Sequence, residues 1–200
     1  LLLICCCAVL AACPEKKSEG VAPAAQAPGV GGADVKPQTL TLLITGSENG
    51  YLLPSEGKGG AAELLGQWLK SEGHCLDCKD ASTLVLSTGD NGNGAAISSV
   101  FHGEPAAAVM KHMGYSASAF GNHEVDFGRP QFARNRETGG FPYLAANLPG
   151  TADSDSEAPL ALLAATAVKR GGLEVGVIGL TSAKTRTSTM PGRLDDVTLI

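Results

Sequence analysis

Residues 83–128 read TLVLSTGDNGNGAAISSVFHGEPAAAVMKHMGYSASAFGNHEVDFG, and the fold turns on them. Thr83 to Ser87, TLVLS, is an apolar run of strand length with no polar face, which suits a strand buried on both sides. Thr88-Gly89-Asp90 closes it. Gly103-Glu104-Pro105 marks a helix start, because proline in the first turn gives up an amide that has no partner there. That helix is expected to run through Ala106–Met113 and to stop at Gly114. Tyr115 to Phe120 then reads as the next strand, ending at Gly121-Asn122-His123-Glu124. Strand, helix and strand in this succession argue an α/β layered domain.

The pattern continues on both sides. Thr39 to Thr45, TLTLLIT, suits another buried strand and is broken by GSENG at 46–50. Ala61, Leu64, Leu65, Trp68 and Leu69 recur at the spacing of one helical face. Arg129-Pro130 opens a further helix, and Phe141–Asn147 reads as a fourth strand. Residues 149–159 form a polar loop. Ala164–Lys169 and Leu173–Leu180 flank Arg170-Gly171-Gly172, which predicts a hairpin. Leu194–Ile200 reads as one more strand. In open α/β sheets ligands gather beyond the carboxyl ends of strands. The polar stretches 46–50, 89–91 and 121–126 each follow a strand, so they are expected to meet at one sheet edge.

The first residues carry a different message. LLLICCCAVLAA, residues 1–12, falls short of the roughly 20 apolar residues of a membrane span and suits the apolar core of a signal peptide. Leu10-Ala11-Ala12-Cys13 resembles a bacterial lipobox, which implies that residues 1–13 are a lipoprotein signal and that Cys13 receives the lipid. Cys5, Cys6 and Cys7 fall in the part to be removed. Residues 14–38 are rich in Ala, Pro and Gly without an apolar face, the composition of a disordered tether. The expected location is the cell envelope, lipid-anchored, periplasmic or on the outer surface. There Cys75 and Cys78 are disulfide candidates, with a metal or redox role as the alternative reading of CxxC. A net charge of −5 and an aromatic content of 4% argue against a nucleic-acid polymer as partner.

Gly89-Asp90-Asn91 and Gly121-Asn122-His123-Glu124 carry the chemistry. Hard or borderline cations take carboxylate, amide and imidazole ligands from short rigid turns. In order and spacing, residues 83–128 resemble the central block of the calcineurin-like metallophosphoesterases. The likeness is to the branch of 5′-nucleotidases, UDP-sugar hydrolases and 2′,3′-cyclic phosphodiesterases. It extends to Gly59-Gly60-Ala61-Ala62, to FPYLAANL at 141–148 and to VGVIGLTS at 175–182, covering residues 39–200.

The resemblance implies a metallophosphoesterase β-sandwich flanked by helices, with 39–200 as the N-terminal part of the catalytic domain and the fold incomplete at its C-terminus. It implies that Asp90 bridges two metals, that Asn122 binds the second, and that His123 contacts the phosphate or assists the leaving group with Asp126 orienting it. The implied cofactors are one or two divalent cations, zinc, manganese or similar, and the implied substrate is a nucleotide or other small phosphate ester.

The sequence departs from the family at its first motif, Asp-x-His, where Ser47 and Asn49 stand. Glu48 lies between them and is expected to point elsewhere. His74, His102 and His112 match no family ligand position, and the family's later histidines have no counterpart before Ile200. Three readings stay open: hydrolysis with a reduced or altered metal set, the same cleft kept for binding without catalysis, and a sulfur-ester hydrolase of the same branch.

Overall fold

The computed structural model describes the backbone of residues 2–6 and residues 37–76, 78, 81–148 and 159–200 in full. Cys13 and nearly all of the 14–38 stretch lie outside the described residues, as does most of the 149–159 loop.

A four-stranded parallel sheet forms the centre. It consists of β2 (Thr41–Thr45), β3 (Thr83–Ser87), β4 (Tyr115–Ala119) and β5 (Tyr143–Leu144), side by side in that order. Helices α1 (Ala61–Ser71), α3 (Glu104–His112) and α4 (Arg129–Gly139) belong to the crossovers that parallel pairing demands. A short helix, α2 (Ala96–Val100), precedes α3. A second sheet holds β1 (Leu2–Cys6), β7 (Leu173–Gly179) and β6 (Ala165–Arg170). β6 and β7 form the antiparallel hairpin, and β1 lies parallel to β7 with Leu2 opposite Val175. Residues 2–6 therefore form an edge strand of this sheet. A last short helix, α5, covers Thr185–Ser188.

Alternation along the strands builds two cores. Val85 and its neighbours Leu43, Tyr115 and Tyr143 face the helices, where Trp68, Met110 and Phe132 meet them. Leu84, Leu86, Ala117 and Leu144 face the other way, onto Val175 and Val177 of the second sheet. All five residues of β3 are buried, as its unbroken apolar run requires. The few aromatics are concentrated on the helix side. Phe132 packs edge-on against Phe120 and Tyr143 at 5.5 and 5.0 Å, and Tyr143 continues to Phe141 at 5.4 Å. Gly179 lets the two sheets close, since a Cβ there would stand 2.5 Å from the Leu144 carbonyl oxygen.

Two expected strands differ. The 141–147 stretch pairs in the parallel sheet only at Tyr143–Leu144. Beyond it Ala145 N–H donates to the Leu163 carbonyl and Ala146 N–H to the Gly179 carbonyl, so the chain crosses to the second sheet. Leu194–Ile200 forms no strand. Leu194 and Val197 are buried three residues apart, and Val197 N–H turns back onto the Leu194 carbonyl. Burial at a spacing of three suits a turn, where a half-buried strand needs two. Arg129 anchors this segment through the Arg193 carbonyl and Asp196.

Candidate phosphoesterase site

The strands β2, β3 and β4 are parallel, so their carboxyl ends lie together, and the three polar loops interlock there. Ser47 N–H donates to the Gly89 carbonyl, Asn49 N–H to the Asp90 carbonyl and Gly50 N–H to the Asn91 carbonyl, all within 2.9 Å. The third loop joins through side chains: Asp90 Oδ1 accepts from the His123 backbone N–H at 3.0 Å.

These loops carry backbone strain. Ser47, Asn49 and Asp90 have φ of 51°, 46° and 58°, the left-handed region. Such conformations cost about 1–3 kcal/mol each and concentrate where the surrounding fold forces a functional geometry. Asn and Asp tolerate them better than Ser.

Glu124, which the sequence reading did not single out, locks the loops together. Its Oε2 accepts from Asp90 N–H at 3.1 Å and Gly121 N–H at 2.8 Å. Its Oε1 accepts from the backbone and side-chain N–H groups of Asn91 at 2.9 and 3.1 Å. Asn91 in turn bonds Ser87 and Ser118, one on each of β3 and β4. Burial and the Asp90 charge lift the Glu124 pKa to about 7, against the opposing pull of the Asn91, Asp90 and Gly121 amides. Gly121 has to be glycine for this arrangement, because a Cβ would lie 2.7 Å from Glu124 Oε2 and run into Asp90. The signal in the sequence was a glycine-rich turn full of amides, GDNGNG, which needs an acceptor.

His123 and Asp126 form a pair at 2.6 Å between Nδ1 and Oδ2. Asp126 is buried, while the His123 side chain is 40% exposed. Burial depresses the His123 pKa, but the hydrogen bond and charge of Asp126, with Asp90 and Glu124 behind them, raise it above the ordinary imidazole value. Asn122 donates its amide N–H to the Ser188 carbonyl, and its own carbonyl accepts from Thr189. The Asn122 side-chain oxygen thus keeps its acceptor capacity.

The first loop contributes no such groups. Asn49 donates its side-chain N–H back to the Ser47 carbonyl at 2.7 Å. Glu48 turns to the helix side, where it lines a pocket with Tyr51, Leu52, Leu64, Met110 and Tyr115; desolvation raises its pKa, which a Thr45 hydrogen bond partly offsets. Two of the other histidines hold structural posts, and His112 is exposed on α3. His74 is buried between the Thr83 hydroxyl and the Met113 carbonyl, and His102 stacks on Phe127 at 5.0 Å. Cys75 and Cys78 are joined in a disulfide with Cα atoms 5.6 Å apart.

The donor types at this edge are ones that hard cations take. Asp90 offers a carboxylate and Asn122 an amide oxygen. Among the described residues no three His, Cys, Asp or Glu side chains are grouped to hold a metal ion, so a complete pair of cation sites is not assembled from them.

The mixed α/β arrangement with its parallel sheet is shared with structural neighbours in the calcineurin-like phosphoesterase superfamily, and 5′-nucleotidases recur among those neighbours and among the chain's homologues. No family model matches the chain. It is 31% identical over 163 residues to a probable 5′-nucleotidase of Treponema pallidum, covering 80% of this chain and 25% of that protein. It is 30% identical over 166 residues to Protein UshA of Escherichia coli, covering 81% and 29%. A 5′-nucleotidase precursor from Thermus thermophilus superposes with a TM-score of 0.63 at 28% identity, covering 80% of this chain and 32% of that one. The NAD nucleotidase of Haemophilus influenzae gives 0.64 at 26%, covering 80% and 29%. The chain thus spans about a quarter of the length of the curated relatives it matches.

Proposed function

We propose that this chain supplies the Asp90, Asn122 and His123–Asp126 part of a divalent-metal phosphoesterase acting on nucleotides. The observation that carries the reading is the placement of the 2.6 Å His123–Asp126 pair on the sheet edge that also holds Asp90. A nucleotide phosphate is a small, highly charged ester, and 5′-nucleotidases recur among the relatives. A cation held by Asp90 and Asn122 would polarise the phosphoryl oxygens and offset their charge. His123 keeps its Nδ1–H on Asp126, which leaves Nε2 to face the ester. Its pKa, raised by the Asp126 hydrogen bond and charge, favours the protonated ring more than an ordinary imidazole would. Protonated Nε2 then donates to the developing charge on the phosphoryl group or to the departing ribose oxygen. Asp126 keeps the ring from turning and stabilises the imidazolium.

Phosphate release from a nucleoside 5′-monophosphate, with manganese or zinc supplied, tests this in the protein that contains the chain. Asp90→Asn is expected to lower release at least a hundredfold. Release that is absent from the unaltered protein, or unaffected by Asp90→Asn, would count against the proposal.

A second reading rests on Ser47 and Asn49, which stand where the resemblance implies Asp and His: the cleft binds its ligand without hydrolysing it. Metal-dependent turnover decides between the two. We also place the protein in the cell envelope, tethered through lipid on Cys13 and the 14–38 segment. Incorporation of labelled palmitate that is lost in Cys13→Ser checks the anchor.

A further inference from the structure

We propose that Asn93 and Ser99 are positioning residues for the His123–Asp126 pair, which is thereby oriented from the β3–α2 loop as well as from its own turn. The proposal deepens the phosphoesterase reading and rests on it for the meaning of the turnover assay.

Asp126 Oδ2 takes two hydrogen bonds. One comes from His123 Nδ1 at 2.6 Å and the other from the Asn93 side-chain amide. A carboxylate can only accept, so Asn93 must present its NH2 to Asp126. Its Oδ1 is thereby turned to the Ser99 hydroxyl, which donates to it at 3.0 Å. Ser99 Oγ in turn accepts from Gly94 N–H at 3.2 Å. Each step therefore runs in one direction, from the Gly94 amide through Ser99 and Asn93 to Asp126, where it meets the imidazole N–H. Bonds aligned in this way polarise one another. The same arrangement decides the His123 tautomer, since Asp126 Oδ2 is held as an acceptor facing Nδ1.

The anchor is itself well seated. Ser99 lies on α2, whose first turn bonds Ala95, and Ala95 N–H donates to the Asn49 carbonyl at 2.9 Å. Gly94 is pressed against Asn49, where a Cβ would come within 2.9 Å of the Asn49 Cβ. The network thus ties the first loop to the histidine of the third. Asn93 and Ser99 are both partly buried, and their link to the imidazole runs through Asp126.

The test uses full-length protein carrying Asn93→Ala, Asn93→Asp or Ser99→Ala. Asn93→Asp keeps the size of the side chain and replaces the donor with a second carboxylate. Hydrogen-bond partners behind a metal-bound imidazole commonly matter by about 10–100-fold, and an imidazole held by a carboxylate is expected to respond at the lower end of that scale. Turnover of a nucleoside monophosphate is expected to fall about tenfold in kcat for Asn93→Ala, at least as far for Asn93→Asp and less for Ser99→Ala. KM should stay within about twofold. Independently of activity, the His123 Nδ1 proton is followed in ¹⁵N-labelled protein and assigned by its loss in His123→Ala. Its exchange with water is expected to quicken at least tenfold in both Asn93 variants while the thermal melt is unchanged. Should Asn93→Ala unfold the protein, the isosteric Asn93→Asp decides alone. Exchange and kcat within twofold of the unaltered protein in Asn93→Asp would overturn the proposal. A protein without any phosphate release would remove the hydrolase reading alone, and the imidazole proton would still decide on Asn93.

Discussion

At the scale of single residues, Glu124 carries more of the site's architecture than any group named by its chemistry. Four N–H donors from two loops converge on one buried carboxylate. Glu124→Gln replaces two acceptor positions with donors facing donors, and is expected to cost about 3 kcal/mol in urea unfolding. The titration of Glu124 adds a pH dependence. Its folded pKa of about 7 lies above the ordinary 4.5, so the folded state keeps a proton that the unfolded chain has lost. Stability from this group is fullest below pH 4.5 and falls as pH rises through about 7. His123 acts in the same direction, because a raised imidazole pKa gives stability that is lost with rising pH. Unfolding free energy should therefore decline from pH 5 to pH 8, by up to about 3 kcal/mol from Glu124, and Glu124→Gln should flatten the slope. A slope of opposite sign would contradict this assignment. Ser98 is the reverse case. Its buried hydroxyl has no hydrogen-bond partner and faces Gly50. Ser98→Ala is expected to leave stability within about 0.5 kcal/mol or improve it, as thermal melts would show.

At the scale of elements, β3 and β4 and the helix between them were legible, because continuous apolar runs and a Gly-Glu-Pro start leave little choice of local structure. The meeting of the three polar loops was legible too, since parallel strands put their carboxyl ends on one side. What escaped is also instructive. α2 has five residues and no side-chain cap, too little for a periodic signal. Leu194–Ile200 has an apolar composition that suits a strand, and its turn depends on Arg129, 64 residues away from the carbonyl it grips. Glu124 and Asn93 act across 33 residues each, a relation that no local pattern contains. The aromatic chain tests how the elements hold together. Phe132 is fully buried on α4 between Phe120 and Tyr143. Phe132→Ala is expected to cost about 3–5 kcal/mol and to loosen α4 from the sheet, measurable as a lower urea midpoint with an unchanged slope.

At the scale of the whole molecule, the sheet edge proposed to act on phosphate esters has a first loop that lacks strong ligands. Ser47 and Asn49 sit in left-handed conformations that Asp and His also tolerate, so the loop can accept the family's first motif without refolding. Ser47→Asp combined with Asn49→His is expected to tighten manganese or zinc binding at least tenfold in titration calorimetry. Unchanged affinity would mean that the edge does not gather cations.

In the proposed reaction His123, held by Asp126, handles charge or a proton at the ester. The most direct measurement compares His123→Ala with the unaltered protein on two esters, a nucleoside 5′-monophosphate and 4-nitrophenyl phosphate. A positioned proton donor is worth about 10²–10⁴-fold in rate and matters most for a poor leaving group. The account predicts a loss of at least a hundredfold on the nucleotide and a much smaller one on the nitrophenyl ester. Equal turnover of the nucleotide by both proteins would contradict it.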